Sequence, residues 1–185
     1  MNTLAWLDRL TAIDTTSRNS NLGLIETVRD DLRAQGLDPW LSSNAEGTKA
    51  NLFCTLPAQD GGTQGGIALS GHTDTVPVDG QDWSSDPFTL TERDGRLYAR
   101  GSCDMKGFIA ASLALVPEFL ATQRARPVHL AFSYDEEIGC AGAPVMINQL
   151  KAEGARFDGC VVGEPTSMQV VVAHKGINLY RCRVH

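Results

Sequence analysis

Several features that define other classes of protein are missing from this chain of 185 residues. It has no basic run and a net charge of −6, which argues against nucleic acid or an anionic membrane as a partner. Its apolar stretches are far shorter than a transmembrane span. Asp8 and Arg9 come too early for the apolar core of a signal peptide. We therefore expect a cytoplasmic protein that binds neither nucleic acid nor a membrane.

Paired cysteines and a serine-nucleophile motif are missing as well. No two of the five cysteines form a CxxC pair, and an odd number argues against a disulfide framework. Their neighbours are apolar residues or tight turns, so we expect buried, reduced thiols at Cys54, Cys103, Cys140, Cys160 and Cys182. The sequence contains no GxSxG motif, which argues against a serine hydrolase.

Helix and strand patterns alternate along the chain. Asn21 is the expected cap of a second helix, which Gly36 closes, and Asp94-Gly95 is the expected turn of a hairpin. Helices are predicted over 3–13, 22–35, 105–122 (kinked at Pro117) and 141–152, and strands over 51–56, 67–70, 127–134, 158–164, 168–174 and 177–184. This order predicts an α/β fold, with a layered mixed β-sheet and flanking helices.

One histidine and several acids follow the predicted strands, where a sheet presents side chains to a crevice. His72 follows the apolar run IALSG, and Asp74 could accept the proton of its second ring nitrogen. Imidazole and carboxylate groups together suit zinc or a similar divalent ion, and a carboxylate beside the ligands can serve as a base. The remaining acids of the candidate site are Asp104 in GSCDMKG, Glu136 and Glu137 in YDEEIG, and Glu164 in VGEPT.

Each segment also has a simpler explanation. His72 could be a core histidine bonded to an acid, and Asp104 could cap the helix that follows it. A solvated loop would explain Glu136 and Glu137, and Glu164 could be an exposed acid at a strand end. Four such segments in one chain favour a shared metal site over four coincidences.

The order and spacing of five segments resemble one enzyme family. The segments are GHTDTVP, DWSSDPF, GRLYARGSCDMKGF, SYDEEIGCAGA and VVGEPTSMQVVVAHKG. They resemble the di-zinc amidohydrolases and metallopeptidases of the acetylornithine deacetylase, succinyl-diaminopimelate desuccinylase and carboxypeptidase G2 group. Within that group, the segments of this chain most resemble those of the deacetylases. The resemblance therefore implies a zinc-peptidase-like catalytic domain that hydrolyses the acetyl amide of N-acetylornithine to ornithine and acetate, a step of arginine biosynthesis.

The resemblance also implies a role for each candidate residue. His72 and Glu164 would bind one Zn²⁺, Asp104 would bridge two ions, and Glu137 would bind the second. Co²⁺ is the alternative metal. The catalytic residues would be Glu136, as the general base, and Asp74, which would orient the histidine. A cis peptide bond is expected between Asp104 and Met105.

Members of the resembled family are longer than this chain, so we expect a truncated part of such an enzyme. Residues 1–176 would form the N-terminal portion of the catalytic domain, and residues 177–185 the opening strand of a lid and dimerisation domain. None of His129, His174 and His185 is assigned as a ligand. This part would therefore hold one ion firmly and a second weakly or not at all, and it would have little or no activity. The full-length form would be a homodimer that acts on a small N-acylated amino acid.

Two alternatives stay open. A related deacylase, desuccinylase or dipeptidase could carry the same metal residues. A metal-binding module without catalysis is the second alternative, although such a module needs no free carboxylate beside its ligands.

Overall fold

The computed structural model describes residues 1–173, 175–176 and 180–184. Its helices are α1 (Thr3–Thr11), α2 (Leu22–Ala34), α3 (Gly107–Ala114), α4 (Val116–Ala121) and α5 (Gly142–Ala152). Its strands are β1 (Trp40–Ser43), β2 (Ala50–Leu56), β3 (Ile67–His72), β4 (Thr91–Arg93), β5 (Arg96–Tyr98), β6 (Val128–Ser133) and β7 (Gly159–Val162). Among these described helices, none is long and apolar enough to cross a membrane.

Five strands form one mixed sheet in the order β1-β2-β6-β3-β7. β2 runs antiparallel to both β1 and β6, whereas β3 runs parallel to both β6 and β7. The parallel register pairs His72 with Ser133 and Ser70 with Val162. The carboxyl ends of β3, β6 and β7 therefore meet at one edge of the sheet, which is where ligands bind in open α/β sheets.

The sheet is covered on both faces. Alternate residues of β2 and β6 point to opposite sides, as the pleat of a strand requires. Leu52, Cys54 and Leu56 pack with Leu130 and Phe132 in the larger core, where the buried faces of α1, α2 and α3 also lie. Phe53 and Ala131 point to the other face of the sheet, where they pack against Met146 and Leu150 of α5. The predicted layered α/β fold is confirmed, with a three-layer arrangement of helix, sheet and helix.

The helices form where the sequence places apolar residues three and four positions apart. In α1, Trp6, Leu7 and Leu10 are buried, and the Asn2 side chain accepts a hydrogen bond from the Ala5 N–H at 2.9 Å. In the segment predicted as one helix over 105–122, the first regular turn begins only at Gly107, and the helix is interrupted at Leu115. Pro117 lies in the first turn of α4, where its missing N–H leaves no hydrogen bond unmade.

Asn21 occupies the N-cap position of α2, as predicted, but its side chain makes no hydrogen bond to the first turn of the helix. It makes two hydrogen bonds with the main chain of Ala50, donating to its oxygen at 2.8 Å and accepting from its N–H at 2.9 Å. It also donates to the Thr73 hydroxyl at 2.9 Å. The predicted cap position is therefore confirmed, and the side chain makes no capping hydrogen bond because these distant partners use the whole amide group.

Two further predictions were wrong. Four of the five thiols are exposed, and only Cys54 is buried, because β7 lies at the sheet edge and the other cysteines lie in loops. The strand predicted over 168–174 is not formed in its described residues, where Val170 and Val172 are almost fully exposed and have no strand beside them. His174, residues 177–179 and His185 lie outside the described residues, and residues 180–184 have no regular structure.

Candidate metal centre

The candidate residues meet at the carboxyl edge of the parallel strands. His72 is the last residue of β3, Glu136 and Glu137 follow the end of β6, and Glu164 follows the end of β7. The two neighbours of β3 therefore bring their acids to either side of the histidine. This convergence explains why residues up to 92 positions apart in sequence share one site.

Asp104 reaches the same edge from an irregular turn before α3. Its backbone is not helical, with φ −119° and ψ 95°, and the peptide bond between Asp104 and Met105 is cis, as the resemblance implied. Lys106 is the residue that precedes the helix, so the alternative that Asp104 caps it was wrong. Gly101 opens the turn with φ +76°, and a Cβ there would lie 2.5 Å from the Thr75 methyl group, so only glycine fits this approach.

His72 is almost completely buried, and acids surround both of its ring nitrogens. Nδ1 lies 3.0 Å from the main-chain oxygen of Asp74 and 3.5 Å from its carboxylate. Nε2 lies 3.0 Å from Asp104 Oδ1, 3.7 Å from Glu164 Oε1 and 4.0 Å from Glu136 Oε2. Nε2 of His72 therefore faces the carboxylates of the candidate site, and Asp74 contacts Nδ1 on the other side of the ring.

The Asp74 carboxylate links the segment around Ser17 to the acidic turn at Glu136 and Glu137. It is buried and accepts hydrogen bonds from the Ser17 hydroxyl at 2.7 Å, the Glu136 N–H at 3.0 Å and the Glu137 N–H at 3.2 Å. The predicted contact with His72 is present, although the main-chain oxygen of Asp74 makes the shorter one. Asp74 also fixes the backbone of the acidic turn, a role that sequence reasoning did not foresee.

Two overlapping sets of side chains have ligand atoms within 4.8 Å of one another: His72 with Glu136 and Glu164, and His72 with Asp104 and Glu137. Both combine one imidazole nitrogen with carboxylate oxygens, which is a donor set that zinc accepts. All predicted ligands and the predicted base are therefore brought together. The expected division of these residues between two ions and one base stays a prediction.

Charge crowding shifts the pKa values at this centre. Burial alone would lower the pKa of His72, but the carboxylates of Asp74, Glu164 and Asp104 outweigh burial and raise it to about 9. Burial and the neighbouring Asp104 raise the pKa values of Glu137 and Glu164. The pKa of Asp74 is lowered, because the hydrogen bonds that it accepts outweigh its burial. Without a cation, the site therefore holds excess negative charge, which a divalent ion would offset.

Two lysines support the site, and sequence reasoning missed both. Lys106 is fully buried and donates to the main-chain oxygens of Leu10 at 3.0 Å and Ile13 at 2.8 Å, which ties the Asp104 turn to the end of α1. Burial lowers the pKa of Lys106 to about 8. Lys49 contacts Asp135 and the main-chain oxygen of Ser17. Nothing in the spacing of these residues signals contacts over such separations.

His129 is also buried, but it lies away from these residues. Its ring contacts the Thr55 hydroxyl at 2.9 Å and the Gly65 main-chain oxygen at 2.8 Å. These two contacts satisfy both ring nitrogens, in agreement with the expectation that His129 is not a ligand.

The sequence of this chain is similar to those of known peptidases and deacetylases. The sequence model of peptidase family M20/M25/M40 matches residues 68–181, which is more than half of the chain. Acetylornithine deacetylase of Proteus mirabilis (strain HI4320) is 38% identical over 168 residues, covering 90% of this chain and 42% of that protein.

Solved structures share the fold. Human carnosine dipeptidase 1 superposes with a TM-score of 0.71 and 23% identity, over 86% of this chain and 38% of that one. The M20 family metallo-carboxypeptidase Sso-CP2 from Sulfolobus solfataricus gives a TM-score of 0.71 and 22% identity, over 88% of this chain and 37% of that one.

The fold is that of these solved structures, and the cluster of imidazole and carboxylate groups forms a candidate metal centre. The chain belongs to peptidase family M20/M25/M40. The resemblance seen in the sequence is thus confirmed for the family. The chain spans less than half the length of each of the three relatives named above.

Proposed function

We propose that this chain carries the ligand-bearing part of a zinc-dependent deacetylase whose substrate is N-acetylornithine, in arginine biosynthesis. The observation that carries the proposal is the adjacent pair Glu136 and Glu137, which lies beside His72 at the carboxyl edge of the sheet. A binding module needs ligands alone, whereas a hydrolase also needs a base next to them. The 38% identity with an acetylornithine deacetylase supports this choice of substrate.

The donor set supports a two-ion arrangement. His72 and Glu164 would hold one Zn²⁺, Asp104 would bridge, and Glu137 would hold the second ion, with Co²⁺ as a chemically similar substitute. When bound, such ions act as Lewis acids on the amide carbonyl and make a nearby water more acidic. In this assignment the 185-residue chain binds one ion more tightly than a second.

Glu136 is the proposed general base. Its Oε1 contacts the Cys140 thiol at 3.5 Å, and its Oε2 is directed toward His72 at 4.0 Å. The side chain is 38% exposed, so water can reach it. Oε2 would take a proton from the attacking water and return it to the departing amine, and the base thus becomes the acid of the second step. Asp74 would keep the imidazole and the backbone of Glu136 in place.

The remaining parts of the proposal concern the whole protein. Residues 1–176 would belong to the catalytic domain, and residues 177–185 would begin a lid and dimerisation domain. The complete protein would be a cytoplasmic homodimer. These assignments follow from the family resemblance.

The test is Glu136→Gln in the full-length gene product, which keeps the size of the side chain and removes the base. Hydrolysis of N-acetylornithine should fall by about 10²- to 10⁴-fold, the usual contribution of a general base. Metal content, measured by atomic emission after dialysis, should not change. Glu153→Gln is the matched control, because Glu153 is an exposed glutamate directly after α5 that contacts Gln149.

Three outcomes would contradict the proposal in different ways. Retained turnover in Glu136→Gln would exclude the base role. Loss of bound metal would make Glu136 a ligand, as its grouping with His72 and Glu164 allows. Turnover of a succinylated amino acid or a dipeptide in preference to N-acetylornithine would exclude the proposed substrate.

A further inference from the structure

A buried ion pair lies behind the acidic turn, outside the candidate ligands. Lys49, the residue before β2, contacts the carboxylate of Asp135 and the main-chain oxygen of Ser17. Both charged side chains are only 12% exposed. Burying two charges is costly unless each finds its partners, so this geometry requires both residues together.

Asp135 links this pair to the proposed base. It follows Tyr134 at the end of β6 and has a left-handed backbone, with φ +55°, a conformation that aspartate tolerates better than most residues. Its main-chain oxygen accepts a hydrogen bond from the Ala141 N–H at 3.0 Å. The chain therefore turns at Asp135, and the direction of this turn sets where Glu136 points.

Lys49 also reaches the other support of the turn. Ser17, whose main-chain oxygen contacts Lys49, donates its hydroxyl hydrogen bond to Asp74 at 2.7 Å. Asp74 in turn accepts the N–H groups of Glu136 and Glu137. The Lys49 ammonium group is thus linked to the acidic turn in two ways, directly through Asp135 and indirectly through Ser17 and Asp74.

The charges of the turn explain why a lysine is suited to this position. Asp135, Glu136 and Glu137 are consecutive acids, and Asp74 lies beneath them. Like charges at this spacing repel one another and push the turn apart. The Lys49 ammonium group offsets part of this repulsion, and it contacts Asp135 and Ser17 instead of a candidate ligand, so it does not compete with a metal ion.

We propose that Lys49 is a positioning residue for the metal centre, which acts through Asp135 and Ser17 to hold the acidic turn in its ligand-binding geometry. The inference rests on the proposed metal centre and goes beyond it, because Lys49 touches none of the candidate ligands. Loss of a partner that orients metal ligands weakens metal binding by about 10- to 100-fold.

The experiment measures Co²⁺ binding to the 185-residue chain by visible absorption, which reports both affinity and ligand geometry. Lys49→Met should weaken Co²⁺ binding by about 10-fold or more and change the absorption band. Lys49→Arg, which keeps the charge, should restore most of the affinity. Arg29→Met is the matched control, because Arg29 pairs with Asp30 on the surface of α2, and it should bind Co²⁺ as the wild type does.

Asp135→Asn separates the ion pair from a general loss of stability. It should weaken Co²⁺ binding as Lys49→Met does, and the double variant should be no weaker than either single variant, because the two residues act as a unit. Circular dichroism checks that each variant is folded. If Lys49→Met does not fold, Asp135→Asn and Lys49→Arg decide the question.

The outcomes distinguish the inference from the proposed function. If the wild-type chain does not bind Co²⁺, the proposed metal centre is wrong. If the wild type binds Co²⁺ and folded Lys49→Met or Asp135→Asn binds it with the same affinity and spectrum, the ion pair serves stability alone and the inference is overturned.

Discussion

Replacing Asp74 with asparagine should destabilise the metal-free protein by an amount that depends on pH. The carboxylate is 2% exposed and accepts three hydrogen bonds, with one oxygen serving Glu136 N–H and the other serving Ser17 and Glu137 N–H. An asparagine has only one acceptor oxygen. In either orientation of the amide, a main-chain N–H is left without a partner, which costs about 1–3 kcal/mol at any pH.

The second part of the cost comes from His72. Its pKa in the folded protein is about 9, against an ordinary value of 6.5, and the contact with Asp74 is the largest of the interactions that raise it. A raised pKa means that the charged imidazole stabilises the folded state. This stabilisation is complete below pH 6.5 and is lost as the pH rises through 9. It amounts to about 3 kcal/mol in total, of which Asp74 supplies a large share.

The free energy of unfolding should therefore fall by about 3–5 kcal/mol at pH 6 but by only about 1–3 kcal/mol at pH 9.5. Asp74 itself has a lowered pKa, so its carboxylate is ionised at both pH values and its own titration adds nothing to the difference between them. Urea unfolding with a chelator present, followed by tryptophan fluorescence, measures both values. Asp79→Asn is the control, because Asp79 pairs with Arg18 on the surface. An equal loss at pH 6 and pH 9.5 would refute the reasoning.

Two further predictions concern thiol reactivity and packing. Cys54 is 1% exposed, and burial raises its pKa to about 12. A thiol reagent should therefore modify the four exposed cysteines promptly and Cys54 only after unfolding. Prompt reaction of all five thiols would contradict this prediction. Gly142→Ala would place a Cβ 2.4 Å from the Tyr134 oxygen and 2.7 Å from Asn51 Oδ1, so the free energy of unfolding should fall by about 1–3 kcal/mol. Gly176→Ala, in open space, should leave urea unfolding unchanged, and equal effects of the two substitutions would exclude the packing explanation.

Periodicity predicted most of the regular structure correctly. The larger core contains the Leu24, Val28 and Leu32 spacing of α2, and the hairpin turns at Asp94-Gly95, where both residues have positive φ. These patterns are local, because a helix face or a two-residue turn is specified within a few residues. The predicted strand is not formed in the described residues 168–173, because a strand needs a partner, which an apolar run by itself cannot specify.

The candidate site was predicted from the types of residue and their places after strands. His72 ends β3, and the acids come after the two strands beside it: Glu136 and Glu137 after β6, and Glu164 after β7. The parallel register brings them together. Asp104 was predicted by its motif and by resemblance. The helix-cap alternative was wrong because the backbone of Asp104 is not helical and α3 begins only after Lys106.

The sequence by itself determined which groups can bind a metal ion and which end of each strand carries them, because apolar runs and the residues after them are local properties. Only the tertiary structure decided what holds these groups: Ser17 on Asp74, Lys49 on Asp135 and Lys106 on the end of α1. These contacts join residues 57 to 96 positions apart. Their partners are set by sheet order and loop packing, and a buried charge is stable only where the fold brings its partner to it.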